Sequence, residues 1–170
     1  MYLATCGIGA SRAEGLLQGL KAETDIREVV LMGCAGGLAP GLRFGDVVVA
    51  SEVVDAATGE VLPVDPELSE KLHSLLPDST RGLVACSAVV LKTSAEKRGL
   101  FESTGAVAVE MEAVPVLRAA RALGLKAAVA RWVLDDAAED LGEPDFADLA
   151  RRLAVIAEKI AGAAVKLIDG

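Results

Sequence analysis

With 170 residues the chain is long enough for one domain that buries roughly 70% of its unfolded surface, and at 52% hydrophobic but only 3% aromatic its core must be built from Ala, Val and Leu. A net charge of −8 argues against nucleic-acid binding, which needs a basic face, and no apolar run approaches membrane-spanning length. Three scattered cysteines (Cys6, Cys34 and Cys86) form neither a disulfide framework nor a zinc spacing, and Met1–Cys6 is too short for a signal peptide, so a cytoplasmic protein without a metal is expected.

The elements alternate along the chain. Tyr2 to Cys6 reads as an apolar strand, and Gly7-Ile8-Gly9 turns into a helix with Ala13, Leu16, Leu17 and Leu20 on one face. Glu28 to Met32 is the next strand, followed by a glycine-rich segment from Gly33 to Gly45. Asp46 to Ser51 is a strand and Thr58-Gly59 a turn. Asp65 caps a helix with Pro66 at its first position and Leu68, Leu72 and Leu75 inward. Arg81 to Leu91 reads as a long strand, and Thr93-Ser94-Ala95-Glu96 has the capping-box pattern that opens a helix. Ala106 to Val109 is a short buried strand, with a helix starting near Glu112, because Pro115 is tolerated only in a first helical turn. Lys126 to Leu134 is a strand ending in Asp135-Asp136. A last helix runs from about Pro144, with Phe146, Leu149, Leu153, Ile156, Ile160 and Leu167 at helical spacing. This alternation, without repeats or linkers, predicts a single α/β domain over residues 1–170, in three layers (α/β/α) around a mainly parallel mixed sheet.

Glu110, Met111 and Glu112 fall at the carboxyl end of a strand, where open α/β sheets bind ligands. A carboxylate pair there can grip vicinal hydroxyls, since an ionised carboxylate only accepts, and the methionine can cover the apolar face of a sugar ring. Equally, both glutamates can be solvated first-turn residues favoured by the helix dipole. Gly33-Cys34-Ala35-Gly36-Gly37 can turn backbone N–H groups toward an oxygen-rich ligand, or form a plain tight turn. Gly7-Ile8-Gly9 lacks the third glycine of the dinucleotide fingerprint, Arg12 standing in its place. Asp135 can act as a general acid if its surroundings raise its pKa, or simply cap a loop. Arg131 shares its side of the strand by period-two alternation and can steady a carboxylate, whereas Trp132 and Leu134 point the other way, into the core. Cys34 has no histidine at hand and reads as a small loop residue; His73, the single histidine, reads as a surface residue of its helix.

Taken in order, Cys6-Gly7-Ile8-Gly9, Gly33 to Pro40, Gly45-Asp46-Val47-Val48-Val49, Ala108-Val109-Glu110-Met111-Glu112-Ala113, and Arg131 with Asp135 resemble the nucleoside phosphorylase and nucleosidase superfamily. The resemblance is closest to its methylthioadenosine/adenosylhomocysteine nucleosidase and hopanoid-associated phosphorylase branches, over roughly residues 3 to 140. It implies a phosphorylase/hydrolase-like fold and cleavage of the N-glycosidic bond of a purine nucleoside or adenosyl compound, by water or by phosphate as a possible co-substrate, with no other cofactor. By the same resemblance Glu112 holds the ribose 2′- and 3′-hydroxyls and Met111 packs on the sugar. Asp135 serves the purine at N7, Val89-Val90-Leu91 lines the base pocket, and Glu110, Gly36 and Cys34 complete the binding surface. A homo-oligomer is implied, since the family pairs subunits. The chain departs from the family pattern at Leu31 (an arginine in many phosphorylases), Cys34 (serine or threonine), Val90 (an aromatic ring in the nucleosidases) and Leu134 (serine). It begins where the family's second segment normally begins, so the opening strand with the water-activating acid and the glycine- and arginine-rich phosphate loop are expected to be missing. Two alternatives follow: a nucleoside-binding homologue without catalysis, or a partner subunit whose site another chain completes.

Overall fold

Three helix starts are marked by residues close by in the sequence. Asp65 accepts from Leu68 N at 2.9 Å, with Pro66 opening α2 (Pro66–Leu75). Thr93 and Glu96 form the reciprocal capping box of α3 (Ser94–Thr104). Glu112 stands at the N-cap of α4 (Ala113–Ala122), with Pro115 inside the first turn. The other two helices are α1 (Ala10–Glu23) and the 24-residue α5 (Phe146–Asp169). The computed structural model describes residues 2–5, 10–142 and 145–169, apart from the side chains of residues 10, 11, 13 and 169. The expected Gly7-Ile8-Gly9 turn, the Ala13 side chain and the start at Pro144 lie outside the described residues.

The strands are β1 (Glu28–Gly37), β2 (Val47–Asp55), β3 (Val61–Pro63), β4 (Thr80–Cys86), β5 (Ala108–Glu110) and β6 (Lys126–Asp135), in the order β3-β2-β4-β5-β1-β6. β2 also pairs with β6, so the sheet closes on itself. The ladders β1–β6, β2–β4 and β4–β5 are parallel; β1–β5, β2–β3 and β2–β6 are antiparallel. Pro63 is tolerated because β3 is an edge strand.

Alternate residues of β6 feed two apolar layers. Ala127, Val129 and Val133 pack with Leu17 of α1 and Val116, Leu117 and Ala120 of α4. Ala128, Ala130 and Trp132 pack on Leu68 and Leu72 of α2 and on Ile156 and Ala163 of α5. The predicted three layers around a mixed sheet are therefore present. α3 joins through Leu100 and Phe101, which meet Leu38, Val54, Ala85, Ala106 and Val109. No helix among the described residues is long and apolar enough to cross a membrane.

Four expectations need correction. Tyr2–Thr5 belong to no strand, and Tyr2 and Leu3 are exposed; a short apolar run becomes a strand only when a neighbour's backbone pairs with it, and β1 takes β6 and β5 as its partners. The glycine-rich segment does not interrupt β1, which runs on to Gly37, while β2 continues past Ser51 to Asp55. The long Arg81–Leu91 strand ends at Cys86, where the chain leaves the sheet in a turn closed by Ser87 Oγ donating to Val89 O at 2.8 Å. The short β3 was not foreseen.

Candidate active site

Gly36 is the register point of the site. It pairs with Asp135 of β6 on one side and with Val109 of β5 on the other. The carboxyl ends of three strands therefore meet there, and the junction Glu110-Met111-Glu112 follows directly from β5. A Cβ at Gly36 would stand 3.2 Å from Asp135 Oδ2 and 3.3 Å from Val109 Cγ1, so the bare backbone lets the acid lie close. A Cβ at Gly33 would collide with Arg131 Nη1. The two glycines thus make room for charged side chains rather than forming a turn.

β6 carries a bulge at this point. Ala35 faces Val133 but Gly36 faces Asp135, so Leu134 is the extra residue. Arg131 and Asp135 both line the cavity, although the bulge between them interrupts the period-two alternation. Leu134 is only half-buried: it packs against the α2/α5 layer and also lines the cavity, which strict alternation did not anticipate.

Glu110 and Arg131 are almost wholly buried. The Glu110 carboxylate accepts from Glu112 N at 3.0 Å and from Ala113 N at 2.9 and 3.0 Å, which caps the α4 N-terminus. It also accepts from Arg131 Nη2 in a tight ion pair. Glu112, whose own side chain makes no cap hydrogen bond, lies 3.6 Å from the same nitrogen. Arg131 Nε is buried without a hydrogen-bond partner. Of the two glutamates, Glu110 therefore supports the α4 start and holds Arg131, while Glu112 is the more exposed.

Asp135 is buried against Lys97, whose Nζ lies 2.5 Å from Oδ2. Burial pushes the Asp135 carboxyl above its ordinary value, and the Lys97 ammonium pulls it part of the way back. Burial likewise raises the Cys34 thiol, and drives Cys86 up to about 12 with help from the Glu110 charge. Neither cysteine is a ready nucleophile. His73 sits on α2 with its Nδ1 2.7 Å from Ser79 Oγ and does not line the cavity.

The cavity has a volume of about 740 Å³, within the range of small-molecule sites. The residues that the resemblance assigns to the site all line it: Cys34, Gly36, Val90, Leu91, Glu110, Met111, Glu112 and Asp135. Sequence reasoning missed Lys97, because a lone lysine in a capped helix ordinarily reads as solvated, and it missed the α5 wall formed by Leu153, Ala157 and Ile160. No group of His, Cys, Asp or Glu among the described residues could hold a metal ion.

The family model described as "Phosphorylase superfamily" matches residues 1–169. A search of curated proteins found no match. Among solved structures, the fold is similar to the MTA/SAH nucleosidase of Streptococcus pneumoniae in complex with 8-aminoadenine, at 20% identity and a TM-score of 0.83, covering 96% of this chain and 78% of that one. It is similar to the 5'-methylthioadenosine/S-adenosyl homocysteine nucleosidase of Helicobacter pylori (20% identity, TM-score 0.83, covering 98% and 78%). The futalosine hydrolase of Helicobacter pylori is a further match (18% identity, TM-score 0.79, covering 95% and 77%).

Proposed function

The chain belongs to the phosphorylase superfamily, and from that premise we propose that it cleaves the N-glycosidic bond of a purine nucleoside or related adenosyl compound, with water or phosphate as the acceptor. One observation carries the reading: Asp135, held toward its neutral form by burial, shares a single cavity with Glu112 and Met111. Breaking the bond develops oxocarbenium character on the sugar and negative charge on the base. Asp135 protonates the departing base at N7. The Glu112 carboxylate accepts from the ribose hydroxyls, and Met111 covers the sugar ring. Val90 and Leu91 flank the base. The nucleosidases named above, both seen in complex with adenine analogues, support this choice of substrate class. The proposal includes a homo-oligomer in the cytoplasm, with the association measurable by sedimentation.

The test is product analysis with adenosine, methylthioadenosine and inosine, with and without phosphate. Free base should be released, and Asp135→Asn should lower the rate by about 10² to 10⁴, the usual contribution of one placed acid. The alkaline limb of the activity should lie above the ordinary carboxylate value, since burial raises the Asp135 carboxyl more than Lys97 lowers it. An Asp135→Asn variant with wild-type turnover would overturn the reading.

A further inference from the structure

Lys97 is a buried cation that the proposed reaction does not itself use. It sits on α3 just inside the capping box, and it is 1% exposed. Its ammonium has three N–H donors, and three acceptors surround it: Asp135 Oδ2 at 2.5 Å, Asp136 O at 2.8 Å and Glu139 O at 2.8 Å. With every donor engaged, it has none to offer a ligand.

We infer that Lys97 is a positioning residue: it fixes the orientation of the Asp135 carboxylate toward the cavity and fastens that acid to the loop formed by residues 136–142. The inference rests on the reading of Asp135 as the group that protonates the departing base. Stability alone does not account for the pair. A buried ion pair is often no more stable than well-packed apolar residues of the same volume. What the ammonium does supply is geometry. It takes Oδ2, so that Oδ1 is the oxygen Lys97 does not engage. It also binds two carbonyls of the loop that carries Leu141 to the cavity wall. That loop is fastened a second time at the entry to α3, by Ser94 N donating to Asp140 Oδ1 at 2.5 Å and Leu141 N donating to Lys92 O at 2.7 Å. Acid and cavity wall thus share one anchor.

The other charged or titratable groups around Asp135 are Asp136 and Glu139 on the loop, Arg152 on α5, Cys34 on β1, and Glu112 and Arg131 across the cavity. Arg152 is already shared between Glu139 Oε2 and Leu134 O, both at 3.0 Å. Arg43 lies against Asp136 at 3.6 Å. None of these replaces Lys97 at Oδ2.

The experiment follows the Asp135 carboxyl by ¹³C NMR, assigned against Asp135→Asn, in the wild type and in Lys97→Met, Lys97→Gln and Lys97→Arg. Without the ammonium, burial and the Glu139 charge are opposed by the Arg152 guanidinium and no longer by Lys97. The titration midpoint should rise by about one pH unit or more, a tenfold change in proton affinity. In turnover assays the neutral variants should lose about 10²-fold in kcat, with KM little changed and the alkaline limb moved upward. Lys97→Arg should keep the wild-type midpoint. An unmoved midpoint in a folded neutral variant overturns the inference. So does failure of both neutral variants to fold while Lys97→Arg keeps wild-type kcat, KM and titration, since Lys97 is then a structural anchor alone. A wild-type-like Asp135→Asn overturns the reading of the acid instead. A normal loss in Asp135→Asn beside an unmoved midpoint overturns only the role of Lys97.

Discussion

Replacing Glu110 by glutamine removes one negative charge from a place that water does not reach. The side chain is wholly buried, and that of its partner Arg131 is 3% exposed, so solvent does not screen the loss. A glutamine oxygen can still accept from the α4 N–H groups, but its amide would turn donors toward the guanidinium. Among the described residues Arg131 would keep Glu112, at 3.6 Å, as its ion-pair partner. Removing one partner of a buried ion pair typically costs about 3–5 kcal/mol. For a chain of this size each kcal/mol lowers Tm by about 2–4 °C, so Glu110→Gln should melt about 6–20 °C below the wild type. Circular dichroism melts at pH 7, supported by urea titrations, measure this. The double variant Glu110→Gln/Arg131→Met leaves no uncompensated charge and should recover part of the loss. A single variant within 2 °C of the wild type would refute the argument, as would a double variant less stable than the single one.

Gly33→Ala should cost about 1–3 kcal/mol in urea unfolding, because the added methyl collides with an Arg131 side chain pinned by Glu110; an unchanged midpoint would contradict the packing described. Cys86, with its thiol pushed up to about 12, should resist iodoacetamide at pH 8 in the native protein and react once unfolded, as peptide mass mapping would reveal. Cys34, also raised but facing the cavity, should be alkylated slowly and protected by a bound nucleoside. Glu112 should make ribosides bind more tightly than 2′-deoxyribosides by about 1–3 kcal/mol, because a carboxylate loses its donor when the hydroxyl is missing. Calorimetry with adenosine and 2′-deoxyadenosine decides this, and equal affinities would remove Glu112 from the sugar.

Local chemistry was legible where it is decided locally. Asp65 with Pro66, Thr93 with Glu96, and Pro115 beside Glu112 each state a helix start in a few residues, and all three hold. The apolar run of β6 ending at Asp135 was equally plain. The features that escaped depend on distant neighbours. Gly33 and Gly36 look like turn residues, yet they continue a strand because Arg131 and Asp135 lie against them. Leu134 alternates as a core residue, and only the bulge against β1 brings it to the cavity. β3 is three residues long and exists because β2 offers it an edge. Lys97 carries no local mark at all; its acceptors lie some forty residues on, at Asp136 and Glu139.

The closure of the sheet by β6 has a consequence for how the protein is made. β6 is the last of the described strands, yet it lies between two early ones, with Arg131 opposite Gly33 of β1 and Val48 of β2. On a ribosome, β1 and β2 emerge long before the strand that separates them. Until then their facing edges carry unsatisfied backbone donors and acceptors, the kind of surface that recruits other chains. A message cut short before residue 126 therefore yields more than an inactive product. It yields one whose early strands have lost the partner that keeps them apart from their neighbours in the cell. The strand that brings Asp135 to the cavity is also the one that makes the nascent chain safe to release.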